Sequence, residues 1–513
     1  MKGLVRPASP EAGLAFSGVA ILGAILIFTP LIKGGNRPLP LLILELAATA
    51  LLCLLFLRPN LQQRLSRPLL IALGALIALP LIQLLPLPEF AWHWLPGRDF
   101  YAAATNAVGA TPSRYALSLI PNATESALLA LLVPVAVFLA TVSTSEAQLK
   151  QLVNLFIGLA VIQAVIGLAQ FGTGSITVLA VLAAPDAESV GSAHGTYPNA
   201  DHLAGFLEMA LPVVLGLLIA SIQVGGPTST FQAKKAPIRQ RLSRRLSSGI
   251  RFNRVAIYSA AGLAILLGLT FSHSRTGVAL AMLSILLCSL VFGRWVGGQR
   301  SSRLITVFAV IGIALAVEIG LTSVLSRFTG KGMADDLRWS IFAGTIQGIY
   351  EFFPIGSGFG SYPAVFRRFQ PGDVPQFVNH AHNDYLEWLF EGGIAAAVLL
   401  FIFLALYLVR WLRIWPREQH CPPYCIMRIA AGIGLLMMLL HGLIDFNLHI
   451  PANAVFFAFL AGVFFHQAPA AKTAHSAPQT TVLPATAAPK PAPVKQTPQP
   501  VAPAADIRNP FAD

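Results

Sequence analysis

Charged residues are scarce in this chain of 513 residues. Asp, Glu, Lys and Arg make up 11% of it, where soluble domains carry roughly 25%, while 55% is hydrophobic and the mean hydropathy is +0.68. This composition excludes an ordinary soluble domain, because too few polar groups remain to cover its surface. It indicates a membrane protein.

Acidic residues and cysteines are also few. The chain has 22 acidic against 35 basic residues, a surplus of +13, without the interleaved basic and aromatic residues typical of nucleic-acid binding. The basic surplus therefore orients the chain in the membrane and attracts it to anionic lipid headgroups. Four cysteines give no disulfide framework, and the CPPYC pair, Cys421 and Cys425, supplies only two of the four ligands that a structural zinc site needs.

Long apolar runs define the fold class. A helix needs about 20 apolar residues to cross a hydrocarbon core about 30 Å thick. We therefore predict an all-α polytopic membrane protein with about twelve transmembrane helices, the first of which is too long to be a cleaved signal core. The predicted spans are 14–32, 39–57, 69–86, 126–142, 151–170, 203–222, 255–272, 277–293, 304–321, 388–409, 428–445 and 452–466.

The distribution of basic residues between the spans predicts the orientation. Segment 223–254 carries eight Lys or Arg and no acidic residue, whereas segment 171–202 carries no Lys or Arg. Because cytoplasmic loops retain positive charge, we expect both termini in the cytoplasm.

The chain divides into two predicted regions. Residues 1–466 form the membrane domain, with one large external loop, 322–387, between spans nine and ten. Residues 467–513 are rich in Ala, Pro, Thr and Gln without apolar periodicity, which predicts a disordered cytoplasmic tail.

The densest polar motif is NHAHNDYLEWLFEGG, residues 379–393, at the outer mouth of span ten. One interpretation is purely structural: Asp384 caps the helix and Glu387 completes a capping box. The H-x-H-x-D spacing of His380, His382 and Asp384 also suits a metal, but no second cluster of comparable density supplies further ligands. We expect no metal and no cofactor.

Arginines accompany this motif on the same predicted face. Arg275 stands in FSHSRTG, in a short outer gap between spans seven and eight, while Arg338, Arg367 and Arg368 belong to the large loop. Guanidinium groups bind phosphate oxygens in bidentate fashion and keep their charge when buried. Together with His382, they suggest an anionic, lipid-linked substrate and transfer of a group away from a phosphate.

Two further stretches place polar residues where spans six and twelve begin. They are GTYPNADHLAGFLEMALP, residues 195–212, and HGLIDFNLHIPAN, residues 441–453. Each stretch can also be interpreted as simple anchoring of a span at the membrane interface. Both nevertheless fall on the same predicted side as His382.

FSHSRTG, NADHLAGFLEMALP, the long outer loop and HAHNDYLEWLFEGGI together resemble the O-antigen ligase and polymerase superfamily of bacterial inner membranes. By motif the resemblance covers roughly residues 190–465. Its most specific part is His382 and Asn383, followed at a fixed distance by Gly393.

The resemblance implies a membrane glycosyltransferase of the GT-C type that takes a glycan from undecaprenyl diphosphate on the periplasmic face. The acceptor is lipid A core in the ligases and another lipid-linked repeat unit in the Wzy-type polymerases. By the same resemblance His382 is the catalytic base, and Arg275 and Arg338 hold the diphosphate. We further expect His380, Asn383 and Arg368 to contribute to substrate binding.

A third possibility is a transporter of lipid-linked glycan without chemistry. Transporters usually have paired broken helices and polar groups near the middle of the membrane. Here the polar groups gather at one face, which favours the enzyme.

Overall fold

The structure is a computed structural model that describes residues 10–57, 65–109, 115–173, 189, 191–223, 238–293, 310, 333–415 and 421–467. These residues form α-helices, three short 3-10 turns and no strand. The helices are α1 Pro10–Phe28, α2 Pro38–Phe56, α3 Arg67–Gln83, α4 Glu89–His93, α5 Asp99–Ala107, α6 Pro121–Ser143, α7 Glu146–Thr173, α8 Ala200–Gln223, α9 Ile238–Phe271, α10 Arg275–Gly293, α11 Met333–Phe352, α12 Tyr362–Val365, α13 Asp384–Ile414, α14 Pro423–His441 and α15 Pro451–Phe465.

Eight of these helices are long and apolar enough to cross a membrane: α2, α6, α7, α8, α9, α10, α13 and α14. Three shorter apolar helices, Ser17–Phe28, Arg67–Gln83 and Pro451–Phe465, coincide with the predicted first, third and twelfth spans. The predicted ninth span, 304–321, and the tail, 467–513, lie almost wholly outside the described residues. The prediction of an all-helical, multi-pass membrane protein is confirmed, while the number twelve stays a prediction.

Two predicted boundaries were wrong. The connection 223–254 is helical from Ile238, where α9 begins. The eleventh span ends at His441 instead of 445, because the chain turns there into a short 3-10 segment, Asn447–His449. Within the predicted large loop, Met333–Phe352 forms the 20-residue helix α11.

The loop segment also has its own core. Phe390 of α13 packs against Phe352, whose ring centroid is 5.5 Å away, and against Tyr362 at 5.0 Å. The Tyr362 hydroxyl is hydrogen-bonded to Thr345 of α11 at 2.7 Å. Residues 333–383 are therefore a folded cap on the start of α13 and not an open excursion.

Helix α8 is the centre of the membrane core, with 94% of its most apolar stretch buried. It packs against α7, α9, α10 and α14. Small residues allow these close approaches, as is usual where helices associate in a membrane. At Gly277 of α10, an added Cβ would lie 2.6 Å from Cβ of Ala204 in α8.

Helices α8, α10, α13 and α15 begin at the same end of the bundle. Gly277 and Ala204 both lie in the first turns of their helices, so α10 and α8 start side by side. The first residue of α13 donates its amide to Gly442 O, just past the end of α14, at 2.8 Å. Asn453 in the first turn of α15 donates to His202 O at 3.0 Å. We call this the site end.

Helix α13 breaks at Gly393, where φ is 57° and ψ is −145°. The break leaves carbonyl groups without helical partners. They are satisfied by other segments, since Ser357 N donates to Phe390 O and Gly358 N to Glu391 O, each at 2.9 Å. Backbone outside a regular helix survives at membrane depth only when protein groups satisfy it in this way. The turn after α11 is thereby fixed against the start of α13.

Gly393→Ala should destabilise the protein by at least about 2 kcal/mol, because its backbone conformation is essentially restricted to glycine and a Cβ would lie 2.2 Å from Pro354 O. The thermal unfolding midpoint in detergent measures this. Gly158→Ala in α7 is the matched control, since nothing lies within 4 Å of its added Cβ. Equal midpoints for the two variants would contradict the account of the kink.

Candidate active site

His382 lies directly before α13 and is aimed at Asp445. Its Nδ1 is 3.3 Å from Asp445 Oδ1, and its side chain is 27% exposed while that of Asp445 is 4% exposed. When Nδ1 carries the proton it donates to the carboxylate, and Nε2 is left as a basic lone pair. His382 also has a left-handed φ of 50°, a strained conformation of the kind that concentrates at functional sites.

Asp445 is held as a buried anion. Burial by itself would raise the pKa of Asp445, but the hydrogen bond with His382 and the electrostatic influence of His202, His382 and His441 hold that pKa well below its usual range. The amide of Phe446 also donates to Oδ1 at 2.9 Å. The carboxylate is therefore ionised throughout the neutral range.

A series of polar side chains links this pair to Arg338. His202 Nε2 faces Asp445 Oδ2 at 3.9 Å, and the neighbouring residue on α8, Asp201, lies 3.6 Å from Arg338 Nη2. The Arg338 side chain remains 30% exposed. The folded cap thus brings one predicted cation to the site end.

Arg275 begins α10 at the same end. Gly277, two residues later, touches Ala204, which is two residues beyond His202 on α8. Ser274 caps α10 by accepting the amide of Gly277 at 3.1 Å, and the preceding His273 has a φ of 58°. The same arrangement occurs at His382: a histidine with a left-handed φ directly precedes the residue that caps a helix. The amino termini of α10 and α8, which carry partial positive charge, lie side by side here.

The predicted capping box was wrong. Asn383 is the cap, because its Oδ1 accepts the amides of Tyr385 and Leu386, each at 3.0 Å, and its Nδ2 donates to Leu443 O at 2.7 Å. Asp384 instead accepts the amide of Leu448 at 3.2 Å. Asn383 thus fixes the backbone beside His382 and ties it to the turn after α14.

His380 and His382 do not act as one H-x-H-x-D set. His380 Nδ1 lies 2.8 Å from Glu387 Oε1, on a different carboxylate from His382. The ring of Phe446 stands between them, with centroids 4.4 Å from His380 and 4.9 Å from His382. The alternation of the two histidines therefore separates them into two clusters.

The second cluster contains His449. Its Nδ1 is 2.8 Å from Asp384 Oδ1, and its Nε2 is 3.3 Å from Glu387 Oε1. Burial lowers its pKa, but Glu387 and Asp384 together raise the pKa of His449 to about 10. Two carboxylates of α13 thus hold the turn before α15.

Arg368 lies away from both clusters. Its Nη2 is 2.9 Å from Glu351 Oε1, and its guanidinium lies 4.5 Å from the Phe100 ring. Glu351 is thirteen residues after Arg338 on α11, which at 1.5 Å per residue is about 20 Å along the axis. The fold therefore gathers Arg338, His380, His382 and Asn383 at the site end and leaves Arg368 at the other end of α11.

Sequence reasoning missed a buried pair, Glu208 and His441. Both Glu208 oxygens lie 3.0 Å from His441 Nδ1, with side chains 0% and 1% exposed. The pair joins α8 to α14 behind Asp445. An acidic residue within an otherwise apolar span is the signal that points to it.

A cavity of about 280 Å³ opens beside the second cluster, lined by His380, Glu387, Glu391 and His449 at its polar end. An apolar groove of about 290 Å³ adjoins it between α3, α6, α13 and α15, and shares Leu131, Trp388 and Leu448 with it among others. Along α13 this groove extends from Asp384 to Leu406. That is about 30 Å, the thickness of a hydrocarbon core.

The fold and site define a multi-pass membrane protein with a histidine–carboxylate pair and two arginines at one end of its helices. Residues 260–401 match the Wzy_C family, which is described as O-antigen ligase. For this part of the chain, the match supports the assignment to the O-antigen ligase and Wzy-type superfamily that the sequence resemblance indicated. No curated protein matches the chain. The matched range includes Arg275, Arg338 and His382 and ends before Asp445.

Glu208→Leu should cost about 3–5 kcal/mol of stability, because it leaves His441 buried without its partner. The double variant Glu208→Leu/His441→Leu should be less destabilised than the sum of the two single variants. Thermal unfolding in detergent measures all three. Glu146→Gln is the control: it breaks an exposed pair with Lys150 and should stay within about 1 kcal/mol. Strictly additive effects would show that the buried pair is not coupled.

Proposed function

We propose that this protein is an O-antigen ligase-like glycosyltransferase. It moves a glycan from undecaprenyl diphosphate to a sugar hydroxyl of lipid A core, on the periplasmic face of the bacterial inner membrane. The reaction inverts the anomeric carbon and uses no metal or cofactor in the chemical step. The observation that carries the proposal is the pair of His382 and Asp445, whose Nδ1 and Oδ1 atoms are 3.3 Å apart. The pair lies at the site end, where Arg275 and Arg338 also lie.

His382 acts as the general base. A sugar hydroxyl becomes a competent nucleophile once its proton is removed, and histidine titrates in the range that suits this task. Asp445 orients the imidazole through Nδ1 and stabilises the imidazolium that forms when Nε2 takes the proton. The acceptor oxygen then attacks the anomeric carbon while the bond to the diphosphate breaks on the opposite face.

Arg275 and Arg338 bind the departing diphosphate. Charge grows on that group in the transition state, so preorganised cations lower the barrier more than they tighten ground-state binding. The side chains remain accessible, since Arg275 is exposed and Arg338 is 30% exposed. The start of α10, with its capped first turn, adds amide donors of the kind that bind phosphate oxygens.

The apolar groove beside α13 suits the polyprenyl tail of the donor. It starts at Asp384 and Tyr385, next to the site end, and continues along apolar side chains to Phe465. A groove that spans about the hydrocarbon thickness accommodates an isoprenoid chain while the diphosphate stays at the polar end. The donor can therefore remain in the membrane during transfer.

The polymerase remains the alternative, because acceptor choice depends on the shape of the outer surface and the superfamily includes both activities. Deletion of the gene separates them. A missing ligase leaves unattached polymer in the envelope, whereas a missing polymerase leaves single repeat units. Envelope glycans resolved on a gel show which of the two accumulates.

A transporter without chemistry is the second alternative. Purified full-length protein in vesicles, supplied with lipid-linked donor and acceptor, distinguishes it from the enzyme. New glycosidic product supports transfer, whereas donor that is relocated intact supports transport.

His382→Ala should abolish product formation, with a loss of at least about a hundredfold, the usual contribution of a general base. The variant should remain folded, with a somewhat lower thermal midpoint than the wild type, because Asp445 loses one of its partners. His93→Ala, at an exposed position on α4, is the control and should keep full activity. A fully active His382→Ala protein would reduce His382 to a structural role.

Asp445→Asn should lower kcat by at least about tenfold while KM changes little, because the positioning of the base is lost and not the binding of substrate. Steady-state kinetics with lipid-linked donor and acceptor separates the two constants. An unchanged kcat would argue that Asp445 does not act through His382.

A further inference from the structure

A second set of side chains at the site end has no part in the transfer mechanism. His380 Nδ1, Glu387 Oε1 and His449 Nε2 all lie within 4.8 Å of one another. Glu387 Oε1 is 2.8 Å from His380 and 3.3 Å from His449. The three residues come from the folded cap, from α13 and from the turn before α15. Their ligand atoms are directed at a common point although they are distant in sequence.

Each of these groups is held in place by a neighbour. Asp384 binds Nδ1 of His449 at 2.8 Å, which turns Nε2 toward Glu387. The other Glu387 oxygen accepts the amide of Ala381 at 2.8 Å, and the His380 ring stacks on Phe446. A carboxylate on the far nitrogen of a ligating histidine is the usual outer support of a metal site.

The carboxylates around this set are buried. Asp384, Glu387 and Glu391 lie on one face of α13 and are 1–2% exposed. Within the described part of the chain, the ion-pair partners of these three carboxylates are only His380 and His449, with no Lys or Arg. Buried carboxylates normally pair with a cation or coordinate a metal.

We propose that His380, Glu387 and His449 bind a divalent transition metal, of which Zn²⁺ fits the donor set best. Two imidazoles and one carboxylate are common zinc ligands at about 2.0–2.2 Å, and a site with three protein ligands keeps a fourth position open. Here that position faces the cavity of about 280 Å³. Ligand atoms around a tetrahedral ion are about 3.3 Å apart, so the His380–Glu387 contact widens by a few tenths of an ångström on binding.

The metal would fasten three segments together beside His382. It joins the end of the folded cap to the first turns of α13 and to the turn that also carries Asp445. The role is structural, and no step of the transfer reaction passes through the ion. Binding is therefore testable without any glycan substrate.

The experiment uses the full-length protein in detergent, stripped with a chelator and dialysed against Zn²⁺, with bound metal measured by mass spectrometry. We expect about one ion per chain, and none above background for His380→Gln or His449→Gln. Asp384→Asn should weaken Zn²⁺ affinity by about tenfold to a hundredfold, because it removes the support of His449. Zn²⁺ should raise the thermal midpoint of the wild type and leave that of His449→Gln unchanged.

Two controls address other zinc ligands on the chain. Cys421→Ser/Cys425→Ser removes the only thiol pair spaced for a shared ion, and His93→Gln removes an exposed histidine. Both proteins should keep the metal. X-ray absorption of the zinc-loaded wild type should show nitrogen and oxygen neighbours without sulfur, and this readout needs no variant to fold.

Wild-type protein that retains no Zn²⁺, sulfur in the coordination shell, or full retention by folded His449→Gln would each overturn the proposal. These outcomes leave the transferase proposal intact, since that depends on His382 and Asp445. Conversely, an inactive but zinc-binding protein would remove the transferase proposal and leave the metal site standing.

Discussion

The carboxylate of Asp445 is the interaction on which the candidate site depends. A charge buried to 4% exposure is stable only where neighbouring groups compensate it, and here His382, His202 and the amide of Phe446 converge on it. Those contacts require the start of α13, the start of α8 and the turn after α14 to meet. The charge therefore imposes the same geometry that the proposed chemistry needs: an imidazole with one nitrogen fixed and the other available.

The membrane imposes a second constraint, because backbone groups at its depth must find partners within the protein. Helix α13 breaks at Gly393, and the turn after α11 supplies the missing donors through Ser357 and Gly358. This exchange docks the folded cap on the first two turns of α13. Arg338 reaches Asp201 as a consequence, since its helix, α11, belongs to that cap. The kink in α13 thus determines the position of Arg338.

Phe446 divides the polar end of the molecule into two parts. Rings of His202, His380 and His382 all contact it, at centroid distances of 4.4–4.9 Å. On one side His382 and His202 share Asp445; on the other His380 and His449 share Glu387. The first side is suited to proton transfer, because His382 keeps an accessible nitrogen. The second is suited to holding a cation, because both histidines face a single carboxylate oxygen.

The sequence by itself determined the fold class and most of the helices, because apolar length is a local property that each span carries alone. It also predicted, through motifs that resemble the superfamily, that His382 and the arginines act together. Only the tertiary structure decided which side chains contact one another. His380 and His382 differ by two positions yet bind different carboxylates, Asn383 and not Asp384 caps α13, and Arg368 is about 20 Å of helix away from Arg338. Glu208 and His441 are 233 positions apart and meet only through the packing of α8 on α14. Such pairings depend on which helices are adjacent and on how far each is rotated, and no local pattern of residues encodes either.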